Sequence, residues 1–407
     1  MNAPLRHAEA ITFGCRLNIV ESQELARAYV GGPETVVVNT CAVTNEATRQ
    51  ARQAIRRLHR ERPDAEIVVA GCAARLDPQG FADMEGVTRV IADHAPNRAR
   101  TGAEGTRGLL AVQNGCDHRC TFCIIPFGRG ASRSASPLEA VAQARALVAA
   151  GKKEIVLTGV DLTSYGADLG EGWTLGRLVR LLLREAPELA RLRLSSIDCV
   201  EVDDELEAAL AEDARLCPHL HLSLQSGDDL ILKRMKRRHS RAAAIDLCLR
   251  LRRARPDIVF GADFIVGFPT ETEEMFQATL DLVDACGLTH LHVFPFSPRP
   301  STPAALMPLV APDIVKRRAA LLREKGDAAL ARHLDAQIGK NLQLLTERGG
   351  TARAADFTLA RLPGLEAGKM IEALATGHDG RALATQVTGM TKQGQGFGPA
   401  LLSNAYD

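Results

Sequence analysis

The chain has 407 residues, 46% hydrophobic and 24% charged, long enough for two or three domains with sizeable cores. Fifty basic side chains against 49 acidic ones mean that net charge announces no polyanionic partner. No run of roughly 18 apolar residues and no apolar leader are present, so neither a membrane span nor export is expected; the ten cysteines are read as belonging to a reducing cytoplasm.

Residues 8–100 alternate short apolar runs with helical patterns. Strands are expected at 10–13, 35–39 and 66–70, and helices at 17–30 and 45–60, the second capped by Asn45. This is a βαβαβ unit with a doubly wound parallel sheet. Each strand runs into a cysteine: Gly14-Cys15, Thr40-Cys41 and Gly71-Cys72. Ligands of open α/β sheets sit beyond the carboxyl ends of the strands, so these three thiols are expected to converge. Three thiolates suit an iron–sulfur cluster with one iron left open.

Residues 97–108 are polar and Gly-rich and read as a linker, after which a strand at 109–113 leads into Asn114-Gly-Cys116-Asp-His-Arg-Cys120-Thr-Phe-Cys123. Structural zinc closes its tetrahedron with a fourth Cys or His, and no partner sits at the usual spacing. His118 lies inside the loop, where ligation between two cysteines would strain it. A second cluster with an open iron is the reading that fits, and Gly128 and Gly130 let the following backbone turn tightly. The loop resembles the cluster-binding signature of the radical S-adenosylmethionine (SAM) enzymes. That resemblance implies that the amino and carboxylate groups of SAM bind the open iron and that an electron from the cluster releases a 5′-deoxyadenosyl radical.

Helices are then expected at 137–150, 174–186, 203–213, 240–255 and 272–285, and strands at 154–158, 191–195, 219–223, 258–266 and 290–294. With 109–113 these make six strands of a partial (β/α)6 barrel, whose sites lie at the carboxyl strand ends. There the resemblance implies SAM contacts at Gly159 and Asp161, Ser196, Gln225 and Gly267. Gly267 is expected to let backbone approach adenine. Arg129 and Arg133, beside the cysteine loop, are candidates to grip a substrate phosphate or carboxylate. Cys199, Cys217, Cys248 and Cys286 read as ordinary buried thiols, and His219 and His221 as packing residues without a third ligand. The basic run at 233–241 reads as a solvated face.

Beyond a Pro-rich segment a long helix is expected at 313–337. Short strands follow at 341–346, 357–362, 369–375 and 382–387. This tail resembles a degenerate TRAM domain, a small RNA-docking β-barrel, although seven basic against six acidic residues from 339 onward give it no positive face. The division is thus 1–100, 101–338 and 339–407.

The strand-end cysteines and the radical loop together resemble the radical SAM methylthiotransferases over nearly the whole chain. Asn39-Thr-Cys-Ala-Val-Thr44 and Cys123-Ile-Ile-Pro-Phe-Gly-Arg-Gly-Ala-Ser-Arg-Ser134 are most similar to the branch acting on N6-threonylcarbamoyladenosine in tRNA. The resemblance implies two 4Fe–4S clusters, on Cys15, Cys41 and Cys72 and on Cys116, Cys120 and Cys123. It also implies SAM as radical source and methyl donor, the tRNA anticodon stem-loop as substrate, and an electron donor such as flavodoxin with its reductase. Alternative readings are the sister branches, acting on isopentenyladenosine in tRNA or on a ribosomal protein, and a non-enzymatic iron–sulfur RNA-binding protein.

Overall fold

A computed structural model describes residues 8–29, 34–93 and 98–390. Position 30 of the first expected helix, position 97 of the expected linker and residues 391–407 lie outside the described residues.

Four parallel strands, Glu9–Thr12, Thr35–Thr40, Glu66–Gly71 and Val87–Val90, form the first sheet in chain order. The second and third are continuous apolar runs because helices cover both faces, as parallel crossovers require. Helices Arg16–Ala28 and Asn45–Glu61 are two of these covers. The second starts at Asn45, the expected first residue, but its cap differs. Thr44, not Asn45, is the cap, its hydroxyl accepting from the Ala47 N–H at 3.1 Å.

The central region contains the six expected parallel strands. Gly108–Ala111, Glu154–Thr158 and Arg191–Leu194 pair with one another. Ser196–Ile197, continuing the third, pairs with His219–Gln225, which is followed by Val259–Val266 and Leu288–Pro295. Crossover helices bury Leu, Val and Phe from the outward strand faces in one large core. The supposed linker holds a further strand: Arg100–Gly102 turns back antiparallel onto Gly108–Ala111 and extends the sheet. Its glycine-rich composition marks that tight turn. A two-residue antiparallel ribbon, Gln113–Asn114 with Arg133–Ser134, closes the base of the cysteine loop.

The long helix Pro312–Asp335 packs along the last barrel strand and leads into a closed five-stranded barrel. That barrel includes Thr351–Ala354, a strand hidden from sequence reading by the Gly349-Gly350 turn before it. The small barrel seals the amino-terminal floor of the large one. Phe357 stacks on His219 at 5.0 Å between ring centroids, and Arg353 lies 4.3 Å over its face. Arg191 donates to the Gln343 carbonyl at 2.6 Å, and Arg107 bridges Glu154 and Glu347. Among the described residues no helix is long and apolar enough to cross a membrane.

Candidate iron–sulfur and cofactor site

Cys15 sits at the turn after the first strand and Cys41 directly follows the second. Cys72 opens the short helix after the third. The in-register pairing of Thr40 with Gly71 sets Cys41 beside Cys72. Gly14 faces the same point: its left-handed φ of +103° suits glycine alone, and a Cβ there would lie 2.9 Å from Cys41 Sγ. The three thiols are close enough to feel one another's charge. Burial pushes the Cys41 thiol up to about 11 and raises Cys72 as well, so a metal centre would have to displace their protons.

The second trio stands on irregular backbone held from below. Gly115 turns at φ +76°, where a Cβ would clash with the Ala131 carbonyl oxygen at 1.9 Å, and the Cys116 N–H donates to the Gly130 carbonyl at 3.1 Å. Burial followed by the Asp161 carboxylate raises Cys116, and burial pushes Cys123 up to about 11. Arg237 points a guanidinium N–H at Cys120 Sγ, 3.8 Å away, and donates to Asp198 and to the Ser223 carbonyl at 2.8 and 2.7 Å.

Both trios fit a cluster better than a single ion. Thiolates around one zinc at ~2.3 Å stand about 3.8 Å apart. Among the described residues, the donor groups that gather within 4.8 Å are Cys116–His118–Asp161, Asp198–Cys199–His239 and His221–Asp263–His292, and none contains two cysteines. The ten cysteines are free thiols.

His118 turns toward two carboxylates: its Nε2 lies 2.9 Å from Asp161 and 3.6 Å from Glu201, and this pair pushes the imidazole up to about 10. The same Asp161 oxygen, Oδ2, also accepts from Cys116 Sγ at 3.5 Å. Gly159 is packed against Gln113, whose Oε1 accepts from the Val160 and Asp161 N–H groups, both at 2.9 Å. Ser196 is half-buried at its strand end. Gln225 ends its strand at φ +67°, a backbone state that non-glycine residues hold at a cost and that clusters at functional sites.

Gly267 takes part in docking the long helix: a Cβ there would strike Val315 at 2.4 Å, and its N–H donates to Glu271 at 2.8 Å. One expectation needs correction. Arg129 is no open grip for substrate. It is 1% exposed and donates to Glu21 at 2.9 Å, to Asn114 at 3.0 Å and to Asn18. Burial of this guanidinium is outweighed by Cys72, Glu21 and Cys15, which together raise its pKa. Arg129 thus lies behind the first trio and ties it to the second. Arg133 is half-buried against the Arg129 carbonyl and beside the small polar hollow at Gln113 and Asn114. Sequence reading missed Arg237, one arginine among many in its run.

The radical SAM superfamily matches residues 110–283, and an uncharacterized protein family, UPF0004, matches residues 7–93. The chain is 44% identical over 382 residues to the threonylcarbamoyladenosine tRNA methylthiotransferase MtaB of Rickettsia prowazekii, covering 87% of this chain and 91% of that one. It is 36% identical over 388 residues to the tRNA-2-methylthio-N(6)-dimethylallyladenosine synthase of a Jannaschia species, covering 83% of each. Among solved structures, the radical SAM methyltransferase TsrM of Kitasatospora setae, with cobalamin and a 4Fe–4S cluster bound, aligns with a TM-score of 0.53 at 17% identity. The match covers 67% of this chain and 66% of that one, a likeness of fold. Radical SAM membership implies a 4Fe–4S cluster and SAM. On the length and identity of these matches, the chain belongs to the methylthiotransferase family of radical SAM enzymes.

Proposed function

We propose that this enzyme adds a methylthio group to carbon 2 of N6-threonylcarbamoyladenosine, the base 3′ of the tRNA anticodon, giving 2-methylthio-N6-threonylcarbamoyladenosine. The observation that carries this reading is the seating of the segment after the radical loop on Cys72 of the other cysteine set. A Cβ on Gly128, five residues past Cys123, would lie 3.5 Å from Cys72 Cβ and 3.3 Å from the Cys72 carbonyl oxygen. A radical site needs one cluster; a second three-thiol set packed against the segment that follows the radical loop suits a sulfur delivered to the carbon the radical has activated. The names of the Rickettsia relative and of its counterparts in Thermotoga maritima, Bacillus subtilis and Aquifex aeolicus favour threonylcarbamoyladenosine as the base.

Cys116, Cys120 and Cys123 would hold the cluster that meets SAM, and Cys15, Cys41 and Cys72 a second 4Fe–4S cluster. When bound, these groups supply the electron and the radical that takes the carbon-2 hydrogen, a C–H too strong and too weakly acidic for acid–base chemistry. Gln113 fixes the Val160–Asp161 turn against the radical loop, and the Arg237 N–H tunes Cys120. The Arg129 cation offsets thiolate charge at Cys15 and Cys72. Ser196 and Gln225 at the strand ends, with Gly159 and Asp161 at the turn that Gln113 holds, are the residues that would contact SAM. Arg133 is the remaining arginine beside the loop for a substrate anion. The base is splayed from its RNA loop to reach the barrel mouth. Reducing equivalents come from a flavodoxin-type donor, and the enzyme works in the cytoplasm.

The test is anaerobic incubation of reconstituted enzyme with SAM, reduced flavodoxin and an anticodon stem-loop bearing threonylcarbamoyladenosine, followed by mass spectrometry of the nucleosides. The methylthio product is expected. Product only from an isopentenyladenosine stem-loop would move the enzyme to the sister branch, and no 5′-deoxyadenosine at all would make it a non-enzymatic iron–sulfur protein.

A further inference from the structure

Three strands alternate over 260–266, 219–224 and, past a register shift after Leu288, 290–294. Leu220, Leu222, Phe264 and Val293 turn outward to the helices, so the side chains between them line the barrel lumen. At the floor, His219 and His290 are shut in by Phe357. One level up, His221, Asp263 and His292 meet. His221 Nε2 lies 2.9 Å from Asp263 Oδ1 and His292 Nδ1 lies 3.1 Å from the same oxygen. Burial would raise the Asp263 carboxyl, but the two imidazoles outweigh it and hold it well below the usual carboxylate range. An ionised carboxylate only accepts, so both rings donate an N–H to it. That fixes the ring orientation of His292 and turns its Nε2 away from the wall. The His292 side chain is 60% exposed, and its Nε2 has no partner among the described residues. The next inward residue on that strand, about 6.6 Å nearer the mouth by strand rise, is Phe294, which is 41% exposed.

An exposed aromatic ring with a polar, pre-oriented imidazole one step below it is a surface for a flat base carrying a polar arm. We propose that Phe294 stacks the substrate adenine and that His292, oriented by Asp263 and His221, accepts a hydrogen bond from the hydroxyl or N–H of its threonylcarbamoyl arm, making His292 a specificity residue against apolar N6 substituents. This rests on the base proposed above. An arm pointing down the lumen leaves carbon 2 toward the mouth, the end of the barrel from which the cysteine loop emerges. An isopentenyl arm offers no donor, so it would leave the imidazole unpaired.

The test uses reconstituted holoenzyme and two stem-loops, one with threonylcarbamoyladenosine and one with isopentenyladenosine. His292→Leu is expected to raise KM for the first about tenfold with a smaller change in kcat, and to shift the ratio of kcat/KM between the two RNAs by at least about tenfold toward isopentenyl. His292→Asn should recover part of that ratio. Phe294→Ala should weaken both RNAs alike, by about tenfold, because stacking does not read the arm. Equal losses on both RNAs for His292→Leu, or none, would overturn the inference while leaving the proposed activity standing. A wild-type enzyme that ignores threonylcarbamoyladenosine would instead remove the activity and this inference with it. Zinc or iron beyond the clusters, bound by wild type at one per chain and lost in His221→Ala, would make the trio a metal site and overturn the recognition role.

Discussion

The two cysteine sets differ in what holds them. Cys116, Cys120 and Cys123 are neighbours in sequence on a loop clamped by a two-residue ribbon, so local chain geometry brings them together. Cys15, Cys41 and Cys72 are spread over 58 residues and meet only because three strands lie side by side in register. A site built by spacing survives local disturbance of the sheet, whereas a site built by topology depends on the whole first lobe. The largest expected effect separates them by chemistry. Cys116→Ala should abolish both 5′-deoxyadenosine and methylthio product. Cys72→Ala should keep 5′-deoxyadenosine formation and lose the product, with iron per chain falling by about half in each. If Cys72→Ala also stops SAM cleavage, the two sets do not divide the work.

Behind the topological site lies a buried charge cluster centred on Glu21. Glu21 is 4% exposed and faces Arg129 at 2.9 Å, Arg100 at 3.6 Å and Arg75 at 3.9 Å. Burial alone would raise its carboxyl, but the three guanidiniums outweigh that and lower it from its ordinary 4.5. Arg129→Met removes the closest cation and should cost about 3–5 kcal/mol in urea unfolding, because a buried carboxylate loses its partner. The sign with pH follows from the lowered value. The Glu21 contribution is complete above about 4.5 and is lost as pH falls through the folded-state value. A Glu21→Met, Arg129→Met double variant should therefore show a flatter fall in stability below pH 4.5 than wild type, and equal slopes would contradict it.

The same contrast separates what the sequence reveals from what it hides. Strands such as Glu154–Thr158 were legible to the residue because apolar runs between helical patterns leave few other readings. The first cysteine set was legible because a thiol recurs at the same place on three strands. Contacts that close over long separations were not. Arg129 looked like a free hand beside a motif, yet its partners Glu21 and Asn18 stand 108 and 111 residues away. The packing of Gly267 against Val315, on a helix far along the chain, is equally invisible in the sequence. His221 lacked a third partner in sequence; Asp263 and His292 arrive from the next two strands.

The seam between the two sets offers a smaller effect. Gly128→Ala would bring a methyl to 3.3 Å from the Cys72 carbonyl, a contact relieved by a shift of a few tenths of an ångström. Sub-ångström misplacement affects transfer between sites more than chemistry within one. Product formation should fall by about threefold to tenfold while 5′-deoxyadenosine formation continues, raising the ratio of SAM cleaved to base modified. An unchanged ratio would mean that the seam does not set the distance between the two sites.

The smallest effect distinguishes local from long-range support within one helix. Thr44 caps Asn45–Glu61 through the Ala47 N–H, so Thr44→Ala should cost about 1 kcal/mol of stability and little else. Asn45, the residue expected to do this, instead reaches the far end of the barrel. Its Nδ2 donates to the Pro298 carbonyl at 3.1 Å, its N–H to Ser297 Oγ at 3.3 Å, and its Oδ1 accepts from Arg299. Asn45→Ala should thus leave the helix intact and loosen the first lobe from the segment after the last barrel strand. Hydrogen exchange reads the difference: faster exchange in the first turn of the helix for Thr44→Ala, and faster exchange around 297–302 for Asn45→Ala. If both variants loosen only the helix start, Asn45 holds no lobe in place, and the first site depends on its own sheet alone.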